Sequence, residues 1–411
     1  MQRRDLLSTL GTGAFLAFSG CLGSDDEGSD EGSDGGSVDS ADVEIDEDAP
    51  AQFTVYDASV ESPTIRETFT IDLTIANTGG EAGSFEGELA LDSTESEGAD
   101  VVRAAVESGE LESGQLGESS VELSVDYAGG YEMSISDAEV DDEVDRTIDV
   151  NPLTGSLEET IDVIEDLRIT PTDVQFQDGV LYEVVESPSF WGSNERLALL
   201  STLEDQTLAI VTVELENTGT NAVMLEEEMV SSNVGDIYTS FPNGASLDAE
   251  AERNDGPALG QWVNPGSSTT GWLLFALDRD DVTEFTLEMR LDGKNAPADV
   301  VWDVTEESVD LPAFELADTS VPSQFQDGTQ SFDFVVENTG DTAGTFRGVV
   351  QWQGEDHGRN EWYHLKDGDI VTRIPAGGEK SVSVTTDYSG SEDITYRLQP
   401  FGTTWFVEST Q

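Results

Sequence analysis

The chain has 411 residues, of which 87 are Asp or Glu and only 17 are Lys or Arg, giving a formal net charge of -70. A surface this negative repels phosphate backbones and anionic headgroups, which excludes nucleic acid as a partner. With 36% apolar residues the chain still carries enough core-forming side chains to fold, and its length suits about two to four domains.

Residues 1–20 begin with Arg3 and Arg4 and continue through an apolar stretch from Leu6 to Phe18, just before Cys21. At ~1.5 Å per residue that stretch reaches about 20 Å as a helix, short of a ~30 Å hydrocarbon core, so it reads as the apolar part of a signal peptide. The run Arg3-Arg4-Asp5-Leu6-Leu7 resembles a twin-arginine export signal, and Phe18-Ser19-Gly20-Cys21 resembles a lipobox. The resemblance implies that residues 1–20 are removed and that Cys21 carries a lipid. The protein is then held on the extracellular face of the cytoplasmic membrane. Cys21 is the sole cysteine, so the chain can form no internal disulfide.

Residues 21–50 form the next segment. From Leu22 to Pro50 there are twelve acidic residues, five Gly, five Ser and no Lys or Arg. That composition predicts a disordered acidic tether, since it offers little apolar area to offset the entropy of ordering. Asp25-Asp26-Glu27-Gly28-Ser29-Asp30 lacks the terminal Glu and the flanking helices of a calcium loop.

Beyond the tether the acidity is spread evenly, and Lys occurs only as Lys294, Lys366 and Lys380 against fourteen Arg. The composition resembles that of proteins from extremely halophilic archaea. In concentrated salt the Debye length falls to ~3 Å and such repulsion is screened. The resemblance implies that dialysis to ~0.1 M salt unfolds the protein.

The triplet Asn-Thr-Gly occurs at Asn77, Asn217 and Asn338, each time after an alternating strand: Phe69 to Ile75, Ala209 to Leu215, and Phe332 to Val336. The β-branched and aromatic residues suit a pleated, half-buried face, and the triplet predicts a sharp turn in which Gly supplies positive φ. Phe53, Asp57, Asn77, Gly83, Phe85 and Gly87 recur 261 positions later as Phe314, Asp318, Asn338, Gly344, Phe346 and Gly348. The same offset carries Gly117, Glu118 and Val121 onto Gly378, Glu379 and Val382, which predicts a gapless duplication.

Turn residues recur every 8 to 12 positions through units of about 100 residues, the pattern of immunoglobulin-like sandwiches. The expected fold is all-β: three tandem antiparallel β-sandwiches over 51–150, 151–305 and 306–411, the third a copy of the first. The end modules resemble the cell-adhesion-related domain of bacterial and archaeal surface proteins, through the strand, Asn-Thr-Gly, Gly-x-Phe and late Gly-Glu-x-x-Val pattern. The middle module is longer. Its Gly235-Asp236-Ile237-Tyr238 and its Asn264-Pro265-Gly266 leading into Gly271-Trp272-Leu273 resemble the immunoglobulin-like module of prokaryotic lipoproteins. Within it, Ser193-Asn194-Glu195 is placed to cap a short helix through Leu197, Leu199 and Leu200, the one helix the sequence suggests.

Residues for chemistry are sparse. There are two His in all, and His357 reads as the tip of a hairpin whose strands carry Trp352 and Trp362 as a facing pair. With His364 remote and no cysteine partner, neither a transition-metal site nor a cofactor is expected, and the chain is read as no enzyme. Trp352, Trp362 and Trp405 fit either a sugar-stacking platform or core positions. Phe190 and Trp191, with Leu197 to Leu200, fit either a cover over a sheet edge or a patch for a protein partner. Asp278-Arg279-Asp280-Asp281 fits unspecific divalent-cation binding. No Asn-x-Ser/Thr sequon occurs. The expected role is a binding or scaffold module for other envelope components, with an envelope protein as partner and self-association through sheet edges. The alternative is a solute- or polysaccharide-binding lipoprotein.

Overall fold

The computed structural model describes residues 43–409 apart from interruptions at 97–98, 143, 165, 190–191, 203–204, 294, 305–309, 326–328, 355–361 and 387–392. Arg3, Arg4, Cys21, Phe190, Trp191 and His357 lie outside the described residues.

The fold is all-β. In the first sandwich the strands Leu116–Leu123, Phe69–Asn77 and Phe53–Val60 form one sheet, closed at its edge by Glu139–Val140. The strands Val102–Leu111, Gly83–Ser93, Gly129–Ile135 and Thr147–Val150 form the other. Alternation decides what faces inward: Phe69, Ile71, Leu73 and Ile75 meet Leu89, Leu91, Val106 and Met133 from the opposite sheet in one core. The third sandwich repeats this with Phe332, Phe334 and Val336 against Phe346, Ile370, Tyr396 and Leu398.

The duplication extends to an irregularity. The register slips between Val55 and Asp57 in the first copy and between Leu316 and Asp318 in the third, so the first strand of each copy bulges at the same place. The gapless match does not extend to the later strands. Ile71 lies opposite Val121, whereas Phe332 lies opposite Val384 rather than Val382. The cause is a wide bulge in Tyr363–Ile374: Val349 pairs with Asp369 but Gln351 with His364, which loops out Leu365 to Gly368. Asp367 there takes φ 59. A displacement of two residues keeps every side chain on its original face, so the copy tolerates it.

The middle sandwich has more layers. The strands Ile161–Ile164, Leu167–Gln177, Gln206–Asn217, Ser268–Asp278 and Gly235–Ile237 form a sheet that packs on Val230–Ser232, Thr286–Met289, Val300–Asp303 and Leu153–Ser156. Gln206–Asn217 is buried on both faces. Ala209, Val211 and Val213 enter the inter-sheet core, while Leu208 and Ile210 face outward into a second core with Trp272, Leu274, Phe241 and Leu247.

A hairpin of Gly179–Ser189 and Gly192–Ser201 covers that second core. The helix expected from Ser193 through Leu200 is therefore a strand. Leu197-Ala198-Leu199-Leu200 serves two sides at period two: Ala198 and Leu200 face the second core, and Leu199 faces the third sandwich with Leu181 and Val349. Burial on both faces removes the alternation that marks a strand in sequence. The hairpin covers the outer face of a sheet, not its edge.

The end of the expected tether is docked. Val43 is buried, and Asp46 donates its N–H to Thr78 O at 2.9 Å beside the first Asn-Thr-Gly turn. There Val43 and the backbone bonds outweigh the acidic composition.

All three triplets build one device. Asn77 Nδ2 donates to the carbonyls of Glu81 and Leu111 at 2.8 and 2.9 Å, and its Oδ1 accepts from Gly79 N at 3.0 Å. Asn217 does the same with Asn221, Val263 and Gly219, and Asn338 with Thr342, Ile374 and Gly340. Each Asn is fully buried, so one amide satisfies backbone groups where two strands leave the sheet. The Gly does not take positive φ. It is required by close approach to backbone in two of the three: a Cβ on Gly79 would sit 1.9 Å from Pro50 O, and one on Gly340 2.7 Å from Ala313 N.

Candidate functional site

Side chains join the sandwiches at two junctions. At the first, Arg66 donates to the carbonyls of Asp162 and Val163, and Leu153 packs against both cores. Asp299, 1% exposed, accepts from Ala128 N at 2.8 Å through Oδ1 and from Leu291 N at 2.7 Å through Oδ2. Burial pushes its carboxyl above the usual range, against these two bonds. At the second, Arg279 bonds Asp178 at 2.7 Å and Pro312 O at 2.5 Å, and Arg196 donates to His364 O. The Asp278 to Asp281 loop is thus organised by an inward arginine.

Beside the second junction lies an open cleft of about 560 Å³. Glu250 is one of the residues lining it. The short turn Leu247–Ala249 drops Leu247 into the second core, and Ala251 N bonds Leu181 O at 3.1 Å, so the intervening Glu250 is drawn against the hairpin. Its side chain is 3% exposed, and Oε2 has no hydrogen-bond partner. The nearest cation, Arg253 Nε, is 3.6 Å away, beyond hydrogen-bond reach. Arg253 is committed elsewhere: it bonds both oxygens of Asp255 at 3.2 and 2.8 Å and lies over the Trp272 ring at 5.9 Å. Arg347, from the third sandwich, bonds Glu252 at 2.5 Å. Three carboxylates and two guanidiniums therefore line the cleft, and Glu250 Oε2, paired with Arg253 only at 3.6 Å, is the buried carboxylate oxygen without a hydrogen bond. Burial pushes its carboxyl up to about 7. Glu252 and Asp255 add to the rise, while Arg253 and Arg347 oppose it.

The aromatics of the third sandwich, read as either platform or core, divide between core packing and an arginine contact. Trp352 faces Tyr363 across the strands, with ring centroids 5.3 Å apart, so the facing pair is not Trp352 with Trp362. Tyr363, Trp352, Tyr396 and Trp405 occupy one cross-strand row. Trp352, Tyr396 and Trp405 of this row pack on the core. Trp362 instead carries the Arg397 guanidinium 4.2 Å above its ring. His364 Nδ1 lies 3.3 Å from Gln351 Nε2, and burial with Arg196 and Arg397 lowers its pKa to about 4, so the ring is neutral near pH 7. A tryptophan that drew no attention in the sequence, Trp262, is 61% exposed.

Among the described residues no group of three or more His, Cys, Asp or Glu is placed to hold a metal ion, and no helix is long and apolar enough to cross a membrane. Glu250, Arg253 and Arg347 were missed by sequence reasoning, because one Glu among 87 acidic residues carries no signal. The scarcity of arginine was the usable clue.

Fold and junctions together define a multi-sandwich all-β protein. No protein-family profile matches the chain, and no curated protein matches it. Among solved structures it is similar to an uncharacterized β-sandwich protein from Clostridium difficile 630, at 14% identity over 37% of this chain and 93% of that one, with a TM-score of 0.23. It is also similar to red sea bream transglutaminase, at 11% identity over 57% and 32% of the two chains, TM-score 0.15. A third is the native E. coli α2-macroglobulin, at 10% identity over 90% and 23%, TM-score 0.16.

Proposed function

We infer that the protein is a non-enzymatic, lipid-anchored surface protein of a halophile that works as a binding or scaffold module for other envelope components. The observation that carries this reading is where the scarce cations are placed. Arg66, Arg196, Arg279 and Arg347 each bridge neighbouring sandwiches. Four of fourteen arginines thus stiffen joints in a chain of net charge -70. A fixed relative placement of sandwiches suits a platform for protein partners. The sequence supplies the rest: the export motif at Arg3 and Arg4, and Cys21 as lipid site.

Mass spectrometry of the protein extracted from membranes is expected to show loss of residues 1–20 and a lipid on Cys21. Cross-linking on intact cells is expected to join the described sandwiches to a defined envelope protein. An unprocessed N-terminus would overturn the anchor, and a cross-linked product containing only the chain itself would overturn the scaffold.

A further inference from the structure

We propose that the cleft around Glu250 binds a small organic cation carrying an N–H donor, a primary or secondary ammonium. This goes beyond the scaffold reading and does not depend on it.

The argument starts from an incomplete hydrogen-bond inventory. A buried carboxylate oxygen without a donor costs free energy that a folded protein normally avoids, and Glu250 Oε2 is the buried side-chain atom left in that state among the described residues. The neighbouring groups relieve it only in part: Arg253 Nε stands 3.6 Å away, a charge contact without a hydrogen bond. Arg253 is held by Asp255 and Trp272, and Arg347 by Glu252. Oε2 is closed to water as it stands, so a partner entering from the cleft reaches it through a turn of the Glu250 side chain.

Its chemistry follows from the lining. With three carboxylates against two guanidiniums, the site carries one uncompensated negative charge when Glu250 is ionised, so the ligand is cationic. An N–H donor is needed because charge alone leaves the lone pair of Oε2 unused. A bare divalent ion fits poorly, since no cluster of three ligating side chains is present among the described residues. The space of about 560 Å³ lies within the range of small-molecule sites and far exceeds the ~30 Å³ of one water. Ile210 and the edge of the second core give the ligand's carbon skeleton an apolar contact.

The test uses the purified full chain in concentrated KCl and in concentrated NaCl, with thermal melts at about pH 8 and about pH 5.5. Methylammonium and ethanolammonium are the probes, and tetramethylammonium, which has charge but no N–H, is the control. The expected result is a saturable rise in melting temperature of about 2–4 °C with the primary ammonium ions at the higher pH. The rise is expected to vanish at the lower pH, where Glu250 is protonated. The probes titrate near pH 10 and keep their charge throughout, so the loss reports the protein. Glu250→Gln is expected to abolish the effect at both pH values. Where that variant does not fold, the pH dependence of the unaltered chain decides alone. Flat melts at the higher pH, an equal shift with tetramethylammonium, a shift undiminished at the lower pH, or a shift that follows the choice of K+ or Na+ instead of the amine would each overturn the proposal.

Discussion

Two carboxylates are buried where sandwiches meet, and they are resolved in opposite ways. Asp299 at the first junction spends both oxygens on backbone N–H groups of Ala128 and Leu291, one from each side of the joint. Glu250 beside the second junction has one buried oxygen with no hydrogen-bond donor, and its residue lines a cleft. Burial raises both acids, yet the first is a staple and the second an open valence. Depth alone therefore does not distinguish a structural acid from a binding one. The inventory of donors does.

Removing the staple should have the larger consequence. Asp299→Ala leaves the Ala128 and Leu291 N–H groups buried without acceptors, at ~1–3 kcal/mol each, so a loss of about 4 kcal/mol is expected in denaturant unfolding in concentrated KCl. A loss below ~1 kcal/mol would remove the distinction between the two acids.

Glu250 should reveal itself through pH. Its folded pKa of about 7 lies above the ordinary 4.5, so between those values the native state holds a proton that the unfolded chain has released. Stability tied to this group is full below pH 4.5 and is lost as pH rises to about 7. The shift corresponds to ~3 kcal/mol, with Arg253 and Arg347 opposing it and Glu252 and Asp255 adding to it. Glu250→Gln should abolish that slope, so the difference between the two stability profiles isolates it. Parallel profiles for the two proteins would show that Glu250 titrates normally.

The smallest effect sharpens the comparison. Arg347→Met breaks the pair with Glu252, whose side chains are 15% and 23% exposed, and should cost about 1 kcal/mol. Because Arg347 also opposes the rise at Glu250, the variant should move that titration upward. An unmoved titration midpoint would place Arg347 outside the site.

What was legible in the sequence follows from period and repetition. Phe69 to Ile75 alternates because one face meets water, and its strand was readable. Ala209 to Leu215 was readable because its β-branched residues run up to the Asn217 triplet. The segment through Leu200 was not, since burial on both sides leaves neither period intact. The two-residue slip in the third copy was hidden because Gly-Glu-x-x-Val matches well at the wrong register. The site was invisible for a different reason. Glu250 became distinctive only when Leu181 and Arg347, far away in sequence, were brought beside it.

The joints have a mechanical consequence. Arg66, Arg196 and Arg279 donate to backbone carbonyls across the junctions, and a bond to a neutral dipole is short-ranged and little weakened by dissolved ions. Those bonds therefore keep their strength at salt concentrations that screen the charges of the acidic surface. Under tension the joints, each held by a few side chains, should part before a sandwich held by its whole core opens.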